Sequence, residues 1–344
     1  MSLTLSILRG VACVVALAAP GAAAFAQDIT LRMHQFLPAQ SVIPAQVLDV
    51  WADKVEQDSG GRIEIERYPS MQLGGRPPEL VDQVLDGVAD IIWTLPGYTP
   101  GRFPRSEAFE LPFTMTTGEA TSRAFWQYAE AEMMDKDFAD YKMLGLWVHG
   151  PGVIHSKSPI TEVGDLNGVK LRAPTRVTNK MFTTLGATTI GMPVPAVPEA
   201  LSKGVIDATA IPWEVTTVLK VPELVTNHTT FGDSALYTAT FMFAMNKDRY
   251  AALPDDLKAV INANSGEEFS AFAGRVMQAA DAPGLAIARD RGNTIIELTE
   301  AQIETWKTAA APIEAWWVAE MEAGGIDGTA LLEKARALIA MQSD

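Results

Sequence analysis

The chain has 344 residues, 42 acidic against 27 basic side chains and a net charge of −15. An acidic excess of this size argues against nucleic acid and against an anionic membrane surface as partners, yet leaves room for one anion held by one local cation. The length suggests about two domains, and with 1 cysteine, Cys13, there is no disulfide framework to hold them.

Residues 1–26 carry a single charge, Arg9, then the apolar run VACVVALAA and small residues ending in Ala24-Phe25-Ala26. This is the pattern of a cleavable secretory signal, too short for a membrane span. Cleavage after Ala26 removes Cys13 and places the mature protein in a bacterial periplasm. Beyond it, ITLRMHQF (29–36) reads as a strand. PAQVLDVWADKVEQD (44–58) puts Val47, Val50, Trp51 and Val55 on one helical stripe, stopped by Ser59-Gly60-Gly61. RIEIERYP (62–69) alternates as a strand, and PPELVDQVLDG (77–87) is a helix opened by proline and closed by glycine. ADIIWTL (89–95) is a continuous apolar strand, as expected when both sheet faces are covered. The order β-α-β-α-β is that of a parallel α/β sheet.

The stretch LPGYTPGRFPRSEAFELPF (95–113) is too apolar for a linker and reads as an ordered loop against the sheet. A helix near 118–134 and the strand YKMLGLWVH (141–149) follow, then Gly150-Pro151-Gly152 as a turn and hinge. A second α/β series runs through KLRAP (170–174), a helix near 177–185, ATTIGMP (187–193), a short helix near 197–203 and IDATAIP (206–212). ALYTATFMFAMN (235–246) is again a strand, and the tail is mostly helical with one strand at TIIEL (294–298). The expected fold is α/β, in two lobes around a cleft, with the chain crossing between lobes more than once.

In GVKLRAPT (168–175), Val169, Leu171 and Ala173 share one face, so Lys170 and Arg172 share the other. Pro174 ends the strand, leaving Arg172 at its carboxyl end, where open parallel sheets bind ligands. Two roles fit it: a structural ion pair, or a planar fork for a substrate carboxylate. Arg176, one helical turn later, is either a second cation or a surface cap. His34 and His149 each end a strand, and either line the cleft or are ordinary strand-end histidines. Trp93, Tyr98 in the loop beyond it, Trp147 and Trp213 stand near strand ends, where large side chains either stack on a ligand or pack the core. No HExxH and no Cys/His cluster is present, so no metal and no cofactor is expected. GDSAL (232–236) resembles the GDSL esterase motif, which makes a periplasmic hydrolase using Ser234 the rival reading. No paired Asp-x-x-His follows it, and no GxSxG, P-loop or GxGxxG stands in a strand–helix context.

The succession YPSMQLGG, VLDGVADIIW, FELPF, GVKLRAPT and ALSKGVIDATAIPWE, spread over nearly the whole mature chain, resembles the DctP-type extracytoplasmic binding proteins of TRAP transporters. The resemblance implies a type II-like periplasmic binding fold: a signal peptide 1–26, lobe I from 27–149 plus about 239–280, lobe II from 150–238 plus about 281–315, and C-terminal helices 316–344 packed across both. It implies that the lobes close on the ligand, and that the arginine of the K-L-R strand, Arg172, salt-bridges a substrate carboxylate. It implies as partners a small organic acid and the small and large integral membrane subunits that drive uptake by an ion gradient. A monomer is expected. Two departures stand out. Ala196-Val197-Pro198 replaces the family's Glu-Val-Tyr, and Ala210-Ile211-Pro212 replaces Glu-Asn-Pro, with Ile211 at the often substrate-touching asparagine. A less polar ligand follows, a monocarboxylate that is a small 2-oxo or hydroxy acid or an aromatic acid. The same architecture also serves ABC transporters and sensor kinases.

Overall fold

The computed structural model describes residues 29–343; the signal segment, its cleavage after Ala26 and Cys13 lie outside the described residues. Strands β1 (Ile29–Gln35), β2 (Ile63–Tyr68) and β3 (Ile91–Thr94) arise where the alternating and apolar patterns place them, joined by helices as expected. They pair in parallel in the order β2-β1-β3. Strand β10 (Thr240–Asn246) then inserts antiparallel between β3 and β4 (Tyr141–Val148), completing a five-stranded sheet. β3 is buried along its whole length, which explains its unbroken apolar sequence.

The second sheet has the order β11-β9-β5-β8-β6-β7. Here β6 (Lys170–Ala173) lies between β8 (Ala208–Ile211) and β7 (Thr188–Gly191), parallel to both. β5 (Val153–Ser156) runs antiparallel to β8 and to β9 (Asn227–Thr230), and β11 (Thr294–Glu297) closes the edge. Each sheet carries its own helices, giving two α/β lobes. The helices Pro312–Ala323 and Gly328–Ser343 pack on Arg176–Thr184 and on Gly118–Glu132 respectively, and so touch both lobes.

The lobes are joined where two extended segments run side by side. Gly152 N donates to Tyr237 O (3.0 Å), Thr238 Oγ1 to His149 O (2.8 Å) and Ala239 N to His149 Nε2 (3.0 Å). The approach is too close for side chains: a Cβ on Gly152 would fall 2.1 Å from the Tyr237 ring, and one on Gly150 2.1 Å from Asp281 Oδ2. A third crossing joins the helices Glu267–Ala279 and Asp281–Asp290.

Three local expectations need correction. Residues 235–239 are not part of β10 but form the crossing segment, because pairing with β4 starts only at Thr240. Val50 leaves the helical stripe and is 46% exposed, whereas Val47, Trp51 and Val55 are buried; the first turn, Pro44–Leu48, is wound as a π-helix, which shifts the register. β5 and β9 were not anticipated: Asn-His-Thr-Thr has no apolar alternation and becomes a strand by pairing between β5 and β11. The loop 95–113 is indeed ordered, with short 3-10 turns at Pro96–Tyr98 and Pro104–Glu110 packed largely inside.

Candidate functional site

Arg172 is one of the most deeply buried charged groups in the protein, at 1% exposure. It leaves β6 near its carboxyl end, and its neighbours on both sides hold it. Nε donates to Met192 O, just beyond β7 (2.9 Å), and Nη1 donates to Ala210 O on β8 (3.0 Å). Among the described residues no Asp or Glu carboxylate pairs with it; the phenols of Tyr98 and Tyr237 are the polar groups that interact with it, and burial pushes its pKa down. A guanidinium taken out of water without an anion is unfavourable unless something else supplies one.

The guanidinium opens onto a cavity between the lobes, lined by residues of both. One wall is aromatic: Phe36 stacks on Trp93 (4.6 Å, 15°), and Trp93 on Phe241 (5.4 Å, 17°). The opposite side is Ala210, Ile211, Pro212 and Val215 of the second lobe. Ile211 therefore does line the cavity, at the place where a polar family residue is replaced.

Five of the lining residues carry titratable side chains: Arg172, Tyr98, Tyr237, His149 and Glu214. Tyr98 Oη accepts from Val194 N (3.0 Å) across the lobes, so its own proton remains free to donate. Tyr237 Oη is buried without a partner, and burial raises its pKa well above normal. His149 is engaged by backbone on both sides: Nε2 accepts from Ala239 N, which puts the proton on Nδ1 to donate to Gly150 O (2.5 Å). Burial, with Arg172 nearby, pushes its pKa down to about 4, so the ring is neutral. Glu214 is 3% exposed, and burial followed by the nearby Asp281 pushes it up to about 8. Glu110 of the FELPF motif accepts from Thr240 N (3.1 Å) and Thr240 Oγ1 (2.9 Å) close by, and burial raises it to about 7.

The structure thus brings Arg172, Trp93, Tyr98 and His149 of the sequence candidates together and places four others elsewhere. His34 is fully buried beside Gln83 (Nδ1 to Oε1, 2.7 Å) and accepts from Leu73 N. Trp147 stands behind the wall, stacked 6.2 Å from Trp93 and edge-on to Phe269, so Trp93 and Phe241 screen it from the cavity. Trp213 packs on His155 and His228 inside the second lobe. Arg176 does not line this cavity: Glu107 grips it through two bonds (3.0 and 2.6 Å), Glu320 adds a third, and Trp316 covers it. Glu107 also accepts from Trp317 Nε1 (3.1 Å), so the cluster ties both lobes to the C-terminal helices. Ser234 sits in a half-exposed turn, and the ring nitrogens of all 4 histidines bond to other groups; none serves it as a base.

Phe36, Phe241, Tyr237 and Glu214 escaped the sequence reading. Phe36 follows directly on β1, at the same carboxyl edge that drew attention to Arg172, and the same rule would have found it. Among the described residues no cluster of three His, Cys, Asp or Glu side chains suits a metal, and no helix is long and apolar enough to cross a membrane.

Two α/β lobes that enclose a buried cation beside an aromatic wall have the architecture of a two-lobed solute-binding protein. The family model described as "Bacterial extracellular solute-binding protein, family 7" (DctP) matches residues 33–320, and the chain belongs to that family, whose members are periplasmic receptors of TRAP transport systems. It is similar to a TRAP solute binding protein from Rhodoferax ferrireducens solved with copurified benzoate: 52% identity, TM-score 0.90, covering 91% of this chain and 98% of that one. A marine metagenome TRAP protein described as specific for aromatic acid ligands, solved with 3-hydroxybenzoate, is 45% identical with a TM-score of 0.90, covering 92% and 100%. Among curated relatives, the outer membrane transporter protein TsaT of Comamonas testosteroni is 28% identical over 331 residues, 94% of this chain and 96% of that protein.

Proposed function

We propose that this protein is a periplasmic receptor for an aromatic monocarboxylate, which it delivers to the small and large TRAP membrane subunits for uptake. The observation that carries the proposal is Arg172, 1% exposed and without a carboxylate partner among the described residues, facing a largely apolar interlobe cavity. A bound carboxylate supplies the missing anion, and its low-dielectric surroundings strengthen the pair. Charge decides between one carboxylate and two. His149 is neutral and Arg176 is committed to Glu107, so a second carboxylate would meet Glu214 and no free cation. The wall of Phe36, Trp93 and Phe241 favours a ring over an aliphatic 2-oxo or hydroxy acid, and relatives solved with benzoate and 3-hydroxybenzoate support that reading.

In this account the lobes, parting near residues 149 and 239, close over the ligand, and the membrane subunits select the closed form. The signal segment is cleaved after Ala26. A thermal-shift screen of the mature protein over aromatic acids, dicarboxylates, sugar acids and neutral solutes tests the proposal. A ligand at 100 times its dissociation constant adds about 2.7 kcal/mol, which raises the melting temperature by a few degrees. Aromatic acids alone should do so, and stabilisation by neutral solutes alone would refute it.

A further inference from the structure

Glu214 stands in the first turn of the helix Trp213–Leu219, just after β8, and is one of the residues that line the same cavity as Arg172. It is 3% exposed, and Oε2 is buried without a hydrogen-bond partner. Arg172, the cavity's cation, directs its bonds at Met192 O and Ala210 O instead. A buried carboxyl oxygen left unpaired is unfavourable, and a ligand group that bonds to it regains that free energy.

Arg172 is the one cation lining the cavity, but burial and Asp281 govern Glu214 and favour its neutral form. Asp281, on the neighbouring helix, accepts from Glu214 N (2.8 Å) and opposes a second negative charge. His149 is neutral, Tyr98 and Tyr237 keep their protons, and burial alone disfavours the carboxylate. A neutral carboxyl tolerates an anionic ligand beside it, and it both donates and accepts. Its natural complement is a substituent that also does both, a hydroxyl on the ring.

We propose that Glu214 is a second polar anchor that selects aromatic acids bearing a ring hydroxyl over the unsubstituted acid. This rests on the aromatic-acid reading above and narrows it. A cationic substituent would need the carboxylate form that the site disfavours, and an unsubstituted ring leaves Oε2 unpaired.

The test is calorimetry at pH 6.5 on the mature protein with benzoate, 3-hydroxybenzoate, 4-hydroxybenzoate and the zwitterion 3-(aminomethyl)benzoate. Wild type, Glu214→Gln, Glu214→Leu and Arg172→Met are compared. Wild type should bind at least one hydroxybenzoate roughly ten-fold more tightly than benzoate. Glu214→Leu should weaken the hydroxybenzoates far more than benzoate and so erase that preference, and Glu214→Gln, which still donates and accepts, should keep part of it. Equal affinity of wild type for all three acids overturns the inference, as does an equal loss of benzoate and hydroxybenzoates in Glu214→Leu, or tightest binding of the zwitterion. The wild-type ratios decide even if a variant fails to fold. If benzoate binds and Arg172→Met abolishes it, but no hydroxyl preference exists, only the Glu214 assignment falls. If no aromatic acid binds wild type, the aromatic-acid reading itself falls.

Discussion

Replacing Arg172 by methionine, which is unbranched and of similar length, should separate stability from function. Two opposing effects act on the ligand-free protein. The variant loses the bonds to Met192 O (2.9 Å) and Ala210 O (3.0 Å), each worth about 1.5–3 kcal/mol when the donor is charged. It also no longer buries a cation that lacks an anionic partner, and that desolvation costs several kcal/mol. The two are of similar size, so the unfolding free energy should stay within about 2 kcal/mol of wild type. Ligand affinity has no such compensation: the carboxylate would enter an apolar cavity with no charge opposite, costing about 2–5 kcal/mol or more, which is roughly 30-fold to several thousand-fold in dissociation constant. Urea unfolding of both proteins, with calorimetric titration of benzoate, measures the two quantities. A loss of stability above about 4 kcal/mol with affinity unchanged would show that Arg172 is a structural cation, and the reasoning would fail.

Three further outcomes are expected. Tyr98→Phe removes the interlobe bond to Val194 N; affinity should fall about five- to ten-fold, mainly through faster dissociation seen by stopped-flow fluorescence, and unchanged dissociation would count against a latch role. Arg176→Ala leaves the 5%-exposed Glu107 with only the Trp317 indole as partner; it should cost about 2–4 kcal/mol of unfolding free energy while ligand selectivity is unchanged, whereas a change in ligand ranking would return Arg176 to the site. Stability should fall as pH rises from about 6.5 to 8. Glu110, Glu214 and Asp281 are raised to about 7, 8 and 7, so the folded protein holds protons that the unfolded chain has already released, at up to about 1.4 kcal/mol per pH unit for each carboxyl still protonated. Below about 6.5 the slope weakens, because His149, His155 and His228 stay neutral in the fold and take up protons when it opens, opposing the carboxyls. Urea midpoints across pH 5–8 check this, and a rising midpoint above pH 6.5 would contradict it.

Local pattern revealed what local pattern controls. The alternation of Lys170–Ala173 and the proline after it were enough to place Arg172 at a carboxyl strand end, and Trp93, Tyr98 and His149 followed from the same edge rule. What stayed hidden depended on long-range contacts. For Arg176 the sequence left a second ligand cation and a surface cap both open, because Glu107 and Glu320, its partners, lie far away in sequence. Trp147 ends a strand as Trp93 does, but β10 lies between β4 and β3 and places Phe241 in front of it. Trp213 and Glu214 are adjacent on a helix, where successive side chains point about 100° apart. The tryptophan faces His155 and His228, while Glu214 is a lining residue of the cavity. Tyr237 was hidden because Ala235–Ala239 is apolar enough for a strand, and only the pairing of β4 with β10 fixes where the strand begins.

Calorimetric titration of the mature wild-type protein with benzoate and 3-hydroxybenzoate, against succinate and ectoine as controls, tests the central claim most directly. Saturable one-to-one binding of an aromatic acid, with no heat from succinate or ectoine, is the expected result. Binding of succinate or ectoine with no response to any aromatic acid would contradict it.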